Sequence, residues 1–476
     1  MPRLFGTDGV RGVANKGLTC GMAFALGVAA VDVLGPRLVI GRDTRRSGPM
    51  LEAALVAGIA SAGGDALLAG IVPTPAVALL ARGLAASGGV VISASHNPPE
   101  YNGIKFFDAE GFKLAPEAED TLEERLQAAV RLQATAGPLP SPLPGAPATT
   151  GAGADAPKAT GGTVTAPRTG AEIGTVAPVE DAFERYVAHA TETVRSQGID
   201  LAGLHVAVDC GHGASFATTP EALRRLGATV TAVNADFDGD DINVGCGSTC
   251  LGPLKELVAE TGADVGIAHD GDADRVLAVD EKGEELDGDV IEAICALDLK
   301  ERGLLAHDAV VSTQMCNLGF VDAMRGAGIE VVQTDVGDSH VLAAMRERGL
   351  SLGGEQSGHT IFLGHNSTGD GLVTALQLLA AMRRSGRRLS RLRKVMARYP
   401  QVLVNVRVSD QAGLEGSEAV AGAVEATRAR LGGQGRVLVR PSGTEPLVRV
   451  MVEAKDGQAA HDEARRLASL VEQELG

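Results

Sequence analysis

Three aspartates at alternate positions, Asp270, Asp272 and Asp274 in GIAHDGDADRVLAVD, offer hard oxygen ligands within five residues. On extended backbone alternate side chains share a face, so the spacing predicts three carboxylates turned the same way. Such a set suits Mg²⁺, with coordination positions left over for phosphate oxygens. A calcium-binding helix–loop–helix site shares the D-x-D-x-D start, and Glu281 falls at its twelfth position. Arg275 occupies the sixth, where that loop needs glycine, and apolar strand-like runs flank the segment, so the calcium reading is rejected. A merely solvated acidic turn is disfavoured, because clustered like charges beside an apolar strand repel unless a cation joins them.

Four further stretches carry polar chemistry. In SASHNP the buried-looking run Gly88–Ile92 ends on Ser95 and His96 and stops at two prolines, as if a strand delivered a hydroxyl to a fixed point. RPSGTEP presents Arg440, Ser442, Gly443 and Thr444, which form a compact oxyanion cradle of guanidinium, hydroxyls and backbone N–H groups. In GGEQSGH, Glu355, Ser357 and His359 alternate and could face one ligand, a carboxylate plus a hydroxyl being what vicinal sugar hydroxyls need. Arg11, in the glycine-flanked FGTDGVRG, and Lys105, in NGIKFF, add cations, although each alone reads more readily as a surface charge. His269, just before the aspartates, reads as a packed strand residue, and CGSTC (Cys246 to Cys250) has neither the spacing nor the second pair of a zinc site.

The elements that must hold these residues alternate between apolar runs and helical patterns. RLVIGRDT, LHVAVDCGHGAS and AVVSTQMCN each read as a strand entering a polar loop and then a helix, a weak triplication of α/β units. Such units build mixed, mainly parallel sheets whose ligands sit beyond the carboxyl ends of the strands. QVLVNVRVSD and GRVLVRPSGTEPLVRVMVEA alternate instead, and with two helical patterns around them predict a small α+β domain with an antiparallel sheet. The expected division is residues 1–137 (domain I), 138–178 (a flexible Ala/Pro/Gly/Thr-rich linker), 179–284 (domain II), 285–392 (domain III) and 393–476 (domain IV).

At 476 residues the chain is long enough for several cores, and 45% hydrophobic content is enough to fill them. A net charge of −17 argues against nucleic acid or an anionic membrane surface as a partner. Six sparse cysteines predict free thiols in a reducing cytoplasm, and neither a secretory signal nor a membrane span is expected.

SASHNP, DGDADR, GGEQSGH and RPSGTEP, in this order, resemble the α-D-phosphohexomutase family across nearly the whole chain. FGTDGVRG, DINVGCGST and the Gln of GEQSGH are most similar to its glucosamine-phosphate branch. The resemblance implies a heart-shaped enzyme of three α/β domains and one α+β domain around a central cleft. It implies that Ser95 carries the phosphoryl group, and that Asp270, Asp272 and Asp274, with a Ser95 phosphate oxygen, hold one Mg²⁺. It makes Glu355 and Ser357 the readers of sugar hydroxyls, and Arg440, Ser442, Gly443 and Thr444 the holders of the non-reacting phosphate. Arg11, Lys105 and Arg275 then surround the transferring phosphoryl, and His96 and His359 are active-site histidines. The implied reaction interconverts glucosamine 6-phosphate and glucosamine 1-phosphate through glucosamine 1,6-bisphosphate, which is both intermediate and activator, on the route to UDP-N-acetylglucosamine. Sugar phosphates are the expected partners, and a homodimer is compatible with the reading.

Ser339, His340 and Cys250 depart from that branch, which usually has an Arg and an aromatic after VGD and a His at the cysteine position. They keep glucose and mannose phosphates as alternative substrates. An aspartyl-phosphate phosphatase using the DGDAD run, or a non-catalytic sugar-phosphate sensor, are the readings from other classes.

Overall fold

The structure is a computed structural model that describes residues 4–6, 9–135, 167–236, 239–409, 411–414, 416–442 and 447–476. Gly443, Thr444 and most of the expected linker lie outside the described residues.

Four sheets follow one another along the chain. The first contains β1 (Val10–Val13), β2 (Arg37–Arg42), β3 (Asp65–Ile71), β4 (Gly88–Ile92), β5 (Tyr101–Asp108) and β6 (Val176–Pro178), in the order β1-β5-β4-β2-β3-β6. The second contains β7 (His205–Asp209), β8 (Thr229–Val233), β9 (Val265–His269), β10 (Val276–Asp280) and β11 (Glu285–Leu286), in the order β11-β10-β9-β7-β8. The third orders β12 (Ala309–Thr313), β13 (Glu330–Thr334), β14 (Leu352–Gly354) and β15 (Thr360–Phe362) as β13-β12-β14-β15.

Inside these sheets one plan recurs three times, as β3-β2-β4-β5, β8-β7-β9-β10 and β13-β12-β14-β15. In each run the first three strands are parallel neighbours and the last turns back antiparallel. Helices Gly48–Ser61, Ser215–Arg225 and Leu318–Gly326 make the equivalent first crossovers. Parallel strands covered on both faces must be apolar throughout, and β4 (GGVVI) and β9 (VGIAH) are buried along their full length. The triplication therefore makes β4, β9 and β14 equivalent strands. The loops leaving their carboxyl ends are 93–100, 270–275 and 355–359, and these carry Ser95, the aspartates and the Glu355 segment.

The fourth sheet, β16 (Gln401–Arg407), β17 (Gly435–Pro441) and β18 (Leu447–Ala454), is antiparallel in the order β16-β18-β17. Val437, Val448, Val450 and Val452 form one of its faces with helix Gly457–Leu475. The register stacks Arg436 opposite Glu453, Leu438 opposite Met451 and Arg440 opposite Arg449 on the other. One apolar cluster, including Val39, Val206 and Val310, runs through the first three units, whereas the fourth has its own core. The joint between them is polar. Arg436 Nε pairs with buried Glu453 at 2.7 Å, Arg436 Nη1 donates to Gln314 O at 2.6 Å, and Leu318 N donates to Glu453 at 2.8 Å.

The linker expectation of 138–178 extends too far. β6 pairs parallel with β3 as the sixth strand of the first sheet, and Thr175 donates to Asp65 at 2.7 Å. Three strand residues in an Ala/Pro/Thr-rich background leave no periodicity to detect; the free edge of β3 recruits them. Among the described residues no helix is long and apolar enough to cross a membrane.

Candidate active site

β4 delivers Ser95 into a buried point, where the residue is 1% exposed. Its φ of +51° lies in the left-handed region that costs a non-glycine residue on the order of 1 kcal/mol, so the surroundings must hold it there. Ser95 N donates to Ser93 Oγ at 2.9 Å, Ser93 Oγ donates to Asp43 at 2.6 Å, and Asp43 pairs with wholly buried Arg45 at 2.9 Å. The hydroxyl crosses to the second domain, where Ser95 Oγ donates to Asp270 Oδ2 at 2.6 Å.

Asp270, Asp272 and Asp274 are all buried and offer ligand atoms within 4.8 Å of one another, the only such group of His, Cys, Asp or Glu side chains among the described residues. They do not converge by strand alternation. Residues 270–275 form a turn with Ala273 at φ +55° and Ala273 N bonded to Asp270 O at 3.0 Å, and this folding brings the carboxylates together. Thr74 and Lys105 of domain I reach across to Asp272 at 2.6 and 2.9 Å. Thr74 opens helix Thr74–Gly83, whose positive end faces the carboxylate.

Burial, and then Asp274 and Asp272, push Asp270 well above the usual carboxylate range. Burial acts on Asp274 in the same sense, but Lys105, His359 and Arg275 outweigh it and hold that carboxyl well below its usual range. Asp272 Oδ1 and Asp274 Oδ1 are buried with no hydrogen-bond partner. Crowded acids with orphaned oxygens, one driven toward protonation, are the donor set a divalent cation satisfies.

The cations are placed as follows. Lys105, on β5 and 2% exposed, also lies 3.7 Å from Asp274. Arg275 N donates to Asp270 Oδ1 at 3.2 Å, and its Nε lies 3.8 Å from Asp274. Arg11 is on strand β1 and not in a loop, because residues 10–13 pair with β5; its Nη1 donates to Asn97 Oδ1 at 3.2 Å. His96 is exposed at the lip, yet the protein hemming it in, then Arg275 and Arg11, push its pKa down to about 4. His269 has both ring nitrogens committed, to Thr219 Oγ1 at 3.1 Å and Arg275 O at 2.9 Å, which is the packing role expected of it.

Glu355, Ser357 and His359 do not present one face. Gly358 N bonds to Glu355 O at 2.9 Å, so the segment is a tight turn between β14 and β15 and strand alternation fails there. Ser357 is exposed and Glu355 half-buried, while His359, 2% exposed, turns inward to lie 3.6 Å from Asp274 and 3.5 Å from Asp338. Burial lowers the His359 pKa, but these two carboxylates raise it overall. Helix Gly288–Glu301 buttresses the turn closely, and a Cβ on Gly288 would lie 2.0 Å from Glu355 O. Ser339 and His340 open helix Asp338–Arg348 beside this turn, and Cys250 is an exposed thiol.

In the fourth domain Arg440 faces Arg449 across β17–β18, and burial and then Arg449 lower the Arg440 pKa. Ser442 Oγ and Arg449 Nε are buried with no partner. Two facing guanidiniums and a buried hydroxyl are held together at a cost in repulsion that an oxyanion relieves. Sequence reasoning missed Arg449; the signal was the hairpin register, which needs the turn position to be known. It also missed Arg45, Asp43, Thr74 and Asn243, which touch the site from distant segments.

Four parts of the chain match the family of phosphoglucomutases and phosphomannomutases: alpha/beta/alpha domain I at 2–132, domain II at 184–283, domain III at 287–399 and the C-terminal domain at 403–470. Proteins named phosphoglucosamine mutase from Symbiobacterium thermophilum and Thermobifida fusca are each 50% identical to it, the alignments covering all of this chain and 100% and 99% of those proteins. A phosphoglucomutase/phosphomannomutase family protein from Burkholderia thailandensis shares the fold with a TM-score of 0.78 at 23% identity, covering 100% of this chain and 98% of that one. The N-acetylphosphoglucosamine mutase of Aspergillus fumigatus, solved with GlcNAc-6P and magnesium, gives 0.66 at 19% identity over 99% and 96%. With its four domains matched in order and half its residues shared with full-length relatives, the chain belongs to the phosphoglucomutase/phosphomannomutase family.

Proposed function

We propose that this chain is an isomerase that interconverts glucosamine 6-phosphate and glucosamine 1-phosphate. The observation that carries the chemistry is Ser95 Oγ at 2.6 Å from Asp270, inside the acidic triad. The sugar is assigned from the full-length relatives named phosphoglucosamine mutase.

Phosphoryl transfer needs positioning and charge neutralisation more than covalent chemistry from the protein. Ser95, phosphorylated on Oγ, donates the phosphoryl to a hydroxyl of the bound sugar monophosphate. The P–Oγ bond breaks as the new P–O bond forms, and the hydroxyl proton leaves to a base in the cleft. The product is the 1,6-bisphosphate. After that intermediate turns over, the other phosphoryl returns to Ser95, so atoms and charge balance over the cycle. Asp270, Asp272 and Asp274, with a Ser95 phosphate oxygen, would hold a Mg²⁺ that supplies charge neutralisation on the transferring group. Arg11, Lys105 and Arg275 spread the same charge, and His96 and His359 line the site. Glu355 and Ser357 read the sugar hydroxyls. Arg440, Ser442, Gly443 and Thr444, joined by Arg449, hold the phosphate that is not reacting. Free thiols at all six cysteines suit a reducing cytoplasm, the expected location.

Turnover on glucosamine, glucose and mannose 6-phosphates, measured side by side, tests the substrate. The proposal expects glucosamine 6-phosphate to give the largest kcat/KM, and a preference for glucose or mannose 6-phosphate would overturn it.

A further inference from the structure

The DINVGCGST segment has no part in the roles assigned above, yet Asn243 reaches the phosphorylation loop from the second domain. Its Nδ2 donates to Ser95 O at 2.8 Å and to Asn97 O at 3.1 Å. Buried Arg45 of the first domain donates to the same two carbonyls, from Nη2 at 3.0 and 2.7 Å, and to Tyr101 O from Nη1 at 2.9 Å. Facing two carbonyl oxygens, only the NH₂ end of the amide fits, which fixes the side-chain orientation chemically. The Asn243 backbone is itself anchored: it adopts φ +63°, and its N–H donates to Gly211 O at 3.0 Å.

The aspartate loop packs against the same amide. A Cβ on Gly271 would lie 2.7 Å from Ser95 O and 2.9 Å from Asn243 Nδ2. Ser95 O is therefore gripped from its own domain by Arg45, and from the domain that carries Asp270 by Asn243.

We infer that Asn243 is a positioning residue for phosphoryl transfer: bonded to Ser95 O and Asn97 O, it holds Ser95 in its left-handed conformation and fixes Oγ relative to the aspartate loop. Its amide donates to the backbone of the loop and not to Ser95 Oγ. The inference rests on phosphoserine chemistry at Ser95 but not on which sugar is turned over.

Two variants test it. Asn243→Gly removes both hydrogen bonds while tolerating the positive φ, and Asn243→Asp keeps the shape but sets an oxygen against the two carbonyls. With the preferred hexose 6-phosphate and activating bisphosphate, Asn243→Gly is expected to lower kcat about 10²-fold, as a small misplacement of reacting groups does. KM should change less than about threefold, since the phosphate-binding and sugar-reading residues are untouched. Asn243→Asp should lose at least as much, and the ³¹P resonance of the phosphoserine should shift in both variants while the unfolding temperature stays near wild type. A kcat within twofold of wild type in both variants overturns the inference, as does a loss of kcat accompanied by a lower unfolding temperature and an unshifted ³¹P line. A wild-type enzyme with no phosphoserine resonance after treatment with bisphosphate would instead remove the phosphoserine reading itself.

Discussion

The two regions proposed to handle phosphate are built on opposite electrostatic plans. Around Ser95 the protein concentrates acid: three buried aspartates answered by Lys105 and Arg275 and by orphaned oxygens suited to a cation. On the fourth sheet Arg440 and Arg449 face each other across paired strands. The first region must borrow positive charge, so that in the proposed reaction a transferring phosphoryl would meet matched charge on several sides. The second supplies its own, as a group that is only held requires. They also differ mechanically, for the Ser95 region lies in the continuous core of three domains and the arginine pair in a domain with a separate core. The proposed chemistry therefore falls within the shared core, and the proposed recognition of the other phosphate in a domain attached through a polar joint.

Ser95→Ala should break the first region most completely. Turnover is expected to fall about 10⁴-fold or more even with activating bisphosphate supplied, because nothing else in the cleft stores the phosphoryl. Retained turnover in a coupled assay would point to a different nucleophile. Asp272→Asn should reduce kcat by about 10²–10³-fold, by weakening the donor set and the charge on which Lys105 and Thr74 converge. A readout independent of activity is thermal unfolding. Mg²⁺ at about 100 times its Kd should stabilise the wild-type chain by ~2.7 kcal/mol and leave Asp272→Asn nearly unmoved.

Arg449→Ala sharpens the contrast from the other side. It should raise KM about 10–10²-fold, the cost of losing one charged hydrogen-bond donor to a phosphate, with a smaller change in kcat. An unchanged KM would take Arg449 out of the phosphate site. The smallest effect is expected at the departures from the family pattern. Restoring the usual residue with Ser339→Arg should change kcat/KM for glucosamine 6-phosphate by less than about tenfold, because Ser339 opens the helix next to the Glu355–His359 turn and is not in the triad. A larger change would make that helix start a determinant of specificity.

What the sequence reveals of this site depends on how local each contact is. The aspartates, Ser95 and Arg440 each fall in a short motif whose composition already implies charge or phosphate. The triplicated fold is equally legible, because three strand–loop–helix openings share one pattern. Asn243 and Ser95 are 148 residues apart, and nothing in either segment announces that they meet. Alternation succeeds as a rule on the fourth sheet, where Val437, Val448, Val450 and Val452 share a core face. It fails at Asp270–Asp274 and Glu355–His359, because hairpin turns with Ala273 and Gly358 at positive φ interrupt the extended backbone. The carboxylates still converge, by a turn and not by a pleat.

The most direct test of the central claim is the fate of a labelled phosphoryl group. After incubation with [³²P]-labelled hexose 1,6-bisphosphate and an acid quench, the account predicts an acid-stable label on the peptide containing Ser95, chased onto unlabelled sugar monophosphate. Label that is lost in acid, or that maps to the 270–274 peptide, would contradict it.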